Sequence, residues 1–320
     1  MKKKIVSLAL QGGGPHGAFT WGVLDRLLED ERIEIEAISG ASAGAVNAVV
    51  LAHGLTSGGR EGARQALAAL WDSVSSYANP ASNGFLSLTH YFSPYQLNPL
   101  NVNPLRDIVA NLVDFERIKS DSKIKLFIAA TQVRTAKLRL FKNEELSLEA
   151  LLASTCLPLL HQAVEIDGEP YWDGAFSANP AVFPLFYDCE TPDVIIVLLH
   201  PLRRPDAPTT SAGISSRMAE LSFSAPFLRE MRAIALAKNY VENSHFPFTG
   251  LERRLARMNF HLIEAEELMT QLSVESKLDS SSSFLTMLRD HGRARAEIWL
   301  EKSFALVGER SSIRLRELFL

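Results

Sequence analysis

Apolar positions along the chain follow two periods. Short continuous apolar runs at Lys4–Leu10, Ile33–Ile38, Lys125–Thr131 and Asp193–Leu199 are bounded by small or polar residues and predict buried strands. Between them apolar residues recur at helical spacing, as at Phe19, Val23, Leu24, Leu27 and Leu28 within Ala18–Glu29. The chain opens with two strand, tight turn and helix units. The first turns through Gln11–Gly17, and the second through Ser39–Gly44 into a run of small residues ending near Leu51. Repetition of this unit predicts an α/β fold in which a mostly parallel central sheet is covered by helices on both faces.

Further along, Arg60–Tyr77 reads as a helix, while Ala78–Asn103 is rich in Pro, Asn, Ser and aromatic residues without periodicity. A loop this long in a compact domain is usually functional, so a loop or lid region is expected at about 78–105. Ser147 is placed to cap a helix running to about Cys156 and stopped by Pro158. Val164–Trp172 forms two extended runs joined by Asp167-Gly168, a strong hairpin signal that delivers Asp173 to a strand end. Between Pro201 and Gly213 the composition shifts to Pro, Arg, Thr and Ser, and helical patterns follow at about 214–243, 249–272 and 283–308. The expected organisation is a core over 1–205 and a mainly helical region over 206–320 that packs on or caps it.

Composition narrows the function classes. The 320 residues are 47% hydrophobic, enough for a sizeable core. A net charge of −4 gives no electrostatic face for nucleic acid, which is excluded as a partner. Cys156 and Cys189 are too few for a disulfide framework and lack zinc-site spacing, so both are expected to be small buried residues. Met1–Lys4 followed by Ile5–Leu10 imitates a signal peptide, yet the apolar run ends after six residues at Gln11. No apolar run is long enough to cross a bilayer. A cytoplasmic location is the expectation, with peripheral contact at membranes as an extension of it and export without a cleavable signal as the alternative.

Candidate chemistry concentrates in three places. Gly40-Ala41-Ser42-Ala43-Gly44 matches the GxSxG nucleophile elbow, with an apolar strand before it and a small-residue helix after it. Such a turn pushes the serine out at a helix N-terminus, whose dipole favours a developing negative charge. An α/β-hydrolase would place several strands before its elbow and a histidine late in the chain. Here one strand precedes the strand leading into Ser42, and the histidines at 16, 53, 90, 161, 200, 245, 261 and 291 offer no evident partner. Asp173, in Tyr171-Trp172-Asp173-Gly174-Ala175, is the better base: two aromatic neighbours are expected to desolvate it, and desolvation raises a carboxyl pKa toward useful basicity.

Gly12-x-Gly14-x-x-Gly17 fits either a pyrophosphate cradle or a set of amides that holds an oxyanion. A dinucleotide site needs an acid about 20 residues further on. Glu34 and Glu36 come near, but that reading leaves Gly40-x-Ser42-x-Gly44 without a role.

Taken together, Gly12-Gly13-Gly14-x-x-Gly17, Gly40-x-Ser42-x-Gly44 and Asp173-Gly174-Ala175, in that order, resemble the patatin-like phospholipases. The likeness extends over about residues 4–200 and includes Ser154-x-x-x-Pro158. It implies a three-layer α/β/α sandwich, a Ser42–Asp173 catalytic dyad without histidine, and an oxyanion hole from the amides of Gly12, Gly13 and Gly14. His16, Gly17, Gly40, Gly44, Gly174 and Ala175 complete the motifs, and no metal or organic cofactor is implied. His16 stands where the family commonly has Arg or Lys, and Ala175 where it often has Gly.

The implied activity is lipid acyl hydrolysis of phospholipase A, lysophospholipase or carboxylesterase type, on a lipid or other acyl ester. The other readings are a catalytically silent relative that binds a partner through its C-terminal third, and a dinucleotide-binding protein. Phe85–Tyr95 and Leu221–Leu228 suit an acyl channel or a lipid surface as well as ordinary packing. The basic Arg289–Lys302 helix suits the protein core on one side and water or anionic lipid on the other.

Overall fold

The four apolar runs become neighbouring strands of one eight-stranded sheet in a computed structural model of the protein, which describes residues 3–77, 92–204, 206–243, 250–272, 276 and 278–320. The strands are β1 (Lys4–Leu10), β2 (Ile33–Ala41), β3 (Lys125–Gln132), β4 (Leu138–Phe141), β5 (Val164–Ile166), β6 (Glu169–Asp173), β7 (Asp193–Leu198) and β8 (Asn259–Glu264). Their order is β5-β6-β3-β2-β1-β7-β8, with β4 paired to β3. The pairs from β3 through β2, β1 and β7 to β8 are parallel, whereas β4, β5 and β6 join antiparallel. Every residue of β7 is buried, as are the last five of β1. That is why these strands read as continuous apolar runs with no alternation.

Helices α1 (Gly17–Glu29), α2 (Ala43–Ser76), α3 (Pro104–Leu112), α4 (Phe115–Asp121), α5 (Leu148–Ser154), α6 (Ser211–Glu242), α7 (Gly250–Arg257) and α8 (Ser282–Lys302) surround the sheet. On one face Leu8, Ile38 and Ile128 pack with Phe19 of α1, Leu67 of α2 and Leu288 of α8. On the other, Ala9, Phe127 and Ile196 pack with Phe227 and Met231 of α6. The architecture is therefore three-layered, α/β/α, with a helical C-terminal region. Helix α2 joins the small-residue helix and the 60–77 helix of the sequence reading, and it is broken by non-helical backbone at Gly58 and Gly59.

Helices α1 and α8 cross at two glycines. A Cβ at Gly22 would lie 1.9 Å from the Arg289 carbonyl oxygen, and one at Gly292 would lie 2.1 Å from that of Phe19. Around this crossing Arg293 pairs with Asp25 and Glu29, Arg64 reaches the same two acids at 2.8 Å, and Arg289 lies over the Trp21 ring. Arg295 pairs with Glu264 at 2.5 Å. The arginines that suggested an anionic-lipid face for this helix are thus engaged with the protein's own acids and with Trp21.

The expected helix over 249–272 is corrected to α7, β8 and a short turn of helix at Glu266–Gln271. Leu255, Met258 and Leu262 mimic helical spacing, but the edge of β7 takes residues 259–264 as a parallel strand. Its partner lies more than sixty residues away, so local pattern does not show it. Among the described residues, no helix is long and apolar enough to cross a membrane.

Candidate active site

Ser42 occupies the single residue between β2 and α2. Its backbone is at φ 53° and ψ −126°, a conformation unfavourable for any residue with a side chain, and such strain is characteristic of a nucleophile elbow. The flanking glycines let the turn close. A Cβ at Gly44 would sit 2.2 Å from the Leu10 carbonyl oxygen, and one at Gly40 would meet the Gly44 backbone at 2.7 Å. Because Leu10 is in register with Gly40 in the parallel β1–β2 pair, the glycine turn after β1 and the elbow after β2 leave the sheet side by side. The Ser42 N–H donates to Ser154 Oγ at 3.1 Å, which fixes the elbow from α5.

Asp173 ends β6, opposite Ala130 of β3, and is completely buried. Its N–H donates to the Cys156 carbonyl at 2.8 Å, and its own carbonyl accepts from Thr131 Oγ1 at 2.8 Å. The Ala175 N–H donates to Asp173 Oδ1 at 2.8 Å, while Oδ2 makes no full hydrogen bond. Burial pushes this carboxyl up to about 7, against the opposing pull of the Ala175 amide and of the Ser42 hydroxyl beside it. Tyr171 meanwhile packs edge-on against Phe141. Ser42 and Asp173, 131 positions apart in sequence, are thus brought near enough for the hydroxyl to act on the carboxyl's protonation.

The glycine turn is held from two sides. Gln11 Oε1 accepts from the amides of Leu199 and His200 at 2.7 and 2.8 Å, and the Gly12 N–H donates to Asn179 Oδ1 at 2.7 Å. Gly12 is therefore corrected from an oxyanion donor to an anchor, since its proton is already spent. No described residue accepts from the amides of Gly13 or Gly14, and Gly14 adopts φ 59°. Gly17 faces Ala43 and Trp71, where a Cβ would approach within 2.7 Å and 3.1 Å respectively, and Gly174 closes on the Ala129 carbonyl oxygen, 2.1 Å from where its Cβ would stand. His16 is buried, with Nε2 2.9 Å from Ser276 Oγ and its ring against Phe284.

A cavity of about 310 Å³ opens over Ser42, walled by Val46, Leu70, Trp71, Leu105 and Ile108. Trp71 is fixed there, because its Nε1–H donates to Asn47 Oδ1 at 3.0 Å and Asn47 Nδ2 donates to the Gly17 carbonyl at 3.0 Å. No histidine lines this cavity among the described residues. A larger cleft, about 880 Å³, lies among Lys238, Arg310 and Arg316 and contains none of the candidate residues.

Other expectations are placed differently. Leu221–Leu228 is part of α6, with Phe227 in the core and Phe223 against Phe176, so it does not line the Ser42 cavity. Residues 78–91 of the expected loop, including most of Phe85–Tyr95, lie outside the described residues. The Glu36 carboxylate receives the amides of Glu190 and Thr191 at 2.7 Å, away from the glycine turn, which removes it as a ribose ligand. Burial pushes both thiols up, Cys156 to about 12 and Cys189 to about 11, so neither is a thiolate near neutral pH. Asn179 and Ser276 were not singled out in the sequence. Each acts through a long-range hydrogen bond, to Gly12 and to His16 respectively, that no local pattern announces.

The fold is a mostly parallel α/β/α sandwich with a strained serine at one strand-to-helix turn and a buried aspartate near it. The family model "Patatin-like phospholipase" matches residues 8–186, more than half of the chain, and the chain belongs to that family. Its members typically hydrolyse lipid esters. No curated protein matches the chain. Among solved structures, the crystal structure of VipD from Legionella pneumophila is similar at a TM-score of 0.42 and 13% sequence identity, over 100% of this chain and 73% of that one.

Proposed function

We propose that the protein is a lipid acyl hydrolase of phospholipase A, lysophospholipase or carboxylesterase type that works through a Ser42–Asp173 dyad. One observation carries this reading: a fully buried carboxyl, pushed up to about 7, lies beside a serine held at φ 53° on the wall of an apolar cavity. A carboxyl in that range is ionised in part at neutral pH and basic enough to accept a hydroxyl proton.

In this mechanism the acyl chain occupies the cavity beside Trp71, and Ser42 Oγ attacks the ester carbonyl as Asp173 takes its proton. The tetrahedral oxyanion lies against the amides of Gly13 and Gly14, with the N-terminus of α2 adding its dipole. Loss of one such donor typically costs about 2.7–4 kcal/mol of transition-state stabilisation. Collapse releases the alcohol, which takes the proton from Asp173. Water, deprotonated by the same carboxylate, then frees the acyl group from Ser42.

The test is kinetic. The wild-type protein is expected to release p-nitrophenol from acyl esters, with an initial burst that marks the acyl-enzyme, and Ser42→Ala is expected to abolish both. Equal rates for the two proteins would reject the hydrolase and leave a binding module on the same fold.

A further inference from the structure

From Ser73 to Leu105 the sequence contains no Asp, Glu, Lys or Arg, although such residues make up 22% of the chain. The described part of this stretch leads directly to the Ser42 cavity, since Tyr77, Pro104 and Leu105 are among its lining residues. On the two segments that supply these lining residues and Leu157, six large apolar or aromatic side chains face water: Tyr77, Phe92, Tyr95, Leu100, Val102 and Leu159. Leu100 is 85% exposed, Val102 63% and Leu159 59%, more than a buried or half-buried packing role would leave open.

The group is built from two segments tied together. Ala163 N–H donates to the Tyr95 hydroxyl at 3.3 Å, and Gln162 Nε2 donates to the Asn98 carbonyl at 2.9 Å. Asn98 also clasps Val102 at both its N–H and its carbonyl, at 2.8 and 2.9 Å, which presents Leu100 at the tip of a fixed turn. Leu157, just before Leu159, lines the cavity itself. The segments that carry the apolar rim therefore also supply walls of the reaction cavity.

We propose that this rim docks the protein on a neutral or zwitterionic lipid surface, so that an acyl ester passes from the surface into the Ser42 cavity without crossing water. The proposal rests on the hydrolase reading for its substrate, and charge selects the occupant. A surface that recognises anionic lipid carries Lys or Arg, each contributing a salt-sensitive attraction, and none occurs in the stretch between Ser73 and Leu105. Attachment here depends on apolar area removed from water and is insensitive to ionic strength.

The test separates docking from turnover. Full-length protein bearing Ser42→Ala, which cannot consume lipid, is sedimented with phosphatidylcholine vesicles, at low and high salt, with and without a minority of phosphatidylserine. It is expected to pellet in every case to the same extent. Adding Leu100→Asp and Val102→Asp is expected to weaken partitioning by about tenfold or more. Leu159→Asp, on the other segment, is expected to act in the same direction. All variants should keep the melting temperature, because these side chains project into solvent.

Protein that stays in the supernatant, pelleting that requires phosphatidylserine or vanishes in salt, or aspartate variants that pellet like their parent would each overturn the proposal. So would a dimer in solution that the aspartates dissociate, since the rim would then be covered by a second copy. Turnover of monomeric p-nitrophenyl butyrate by protein with a wild-type Ser42 reports on the hydrolase separately. Turnover without vesicle binding defeats the docking surface alone, and vesicle binding without turnover defeats the hydrolase alone.

Discussion

His16 and Ser276 stand 260 residues apart in the chain, yet His16 Nε2 and Ser276 Oγ lie 2.9 Å apart, beneath the turn that carries the amides of Gly13 and Gly14. The C-terminal region thereby holds the element assigned to receive the oxyanion. His16 thus supports the turn by a tether from within the fold, where a basic residue is usual in the family.

If that tether positions the amides, Ser276→Ala should lower kcat up to about tenfold, the equivalent of one net hydrogen bond of about 0.5–1.5 kcal/mol, with little change in KM. Ser276→Thr, which keeps the hydroxyl, should recover most of the rate. A rise in KM at constant kcat would assign Ser276 to substrate binding instead.

Asp173 sets the pH response. Its carboxyl is raised from 3.8 to about 7, so the base form, and with it kcat/KM, should increase with pH and level off above about 7. Asp173→Asn should abolish this limb and lower the rate by about a thousandfold or more. Stability runs the opposite way. A carboxyl whose folded pKa is raised binds its proton more tightly when folded, so its unfavourable contribution grows as pH climbs from 3.8 through about 7. The full effect is on the order of 4 kcal/mol. Asp173→Asn should therefore be at least as stable as wild type in urea at pH 8, and markedly lower stability there would contradict the assignment.

Asn179 anchors the first amide of the glycine turn. Asn179→Ala leaves the Gly12 N–H buried without an acceptor, and urea unfolding should report a loss of about 1–3 kcal/mol. Ester hydrolysis should fall as well, because the neighbouring Gly13 and Gly14 lose their reference point. Unchanged stability would show that another acceptor reaches Gly12.

Two small substitutions in the motifs should differ sharply. Gly44→Ala places a methyl group 2.2 Å from the Leu10 carbonyl oxygen, a backbone atom at the centre of the sheet, and should abolish soluble folded protein. Ala175→Gly retains the N–H that donates to Asp173 Oδ1 and should keep the activity within a few-fold of wild type. Soluble expression and circular dichroism separate the two outcomes.

The strands that carry the site were readable because they are buried on both faces, and burial writes itself into the sequence as the unbroken runs at 4–10 and 193–198. The elbow was readable for a different reason: close backbone contacts at Gly40 and Gly44 admit no side chain, which leaves the glycines as a local trace. What escaped depends on distant partners. β8 exists because β7 offers it an edge, and nothing within residues 259–264 separates a strand from the continuation of α7. The exclusion of Gly12 from the oxyanion set follows from Asn179, whose side chain arrives from 167 positions away. Periodicity and motif spacing record local requirements, whereas these hydrogen bonds record the closure of the fold.

The likeness to the family ends at residue 186, but the sheet does not. β1 lies between β2 and β7, and its Lys4 Nζ donates to the carbonyls of Phe304, Ala305 and Val307 near the other end of the chain. A fragment ending at residue 186 would lack β7 and leave one edge of β1 unpaired, free to recruit strands from other copies. Residues 8–186 alone lack β7 and β8, two strands of the sheet that carries Ser42 and Asp173.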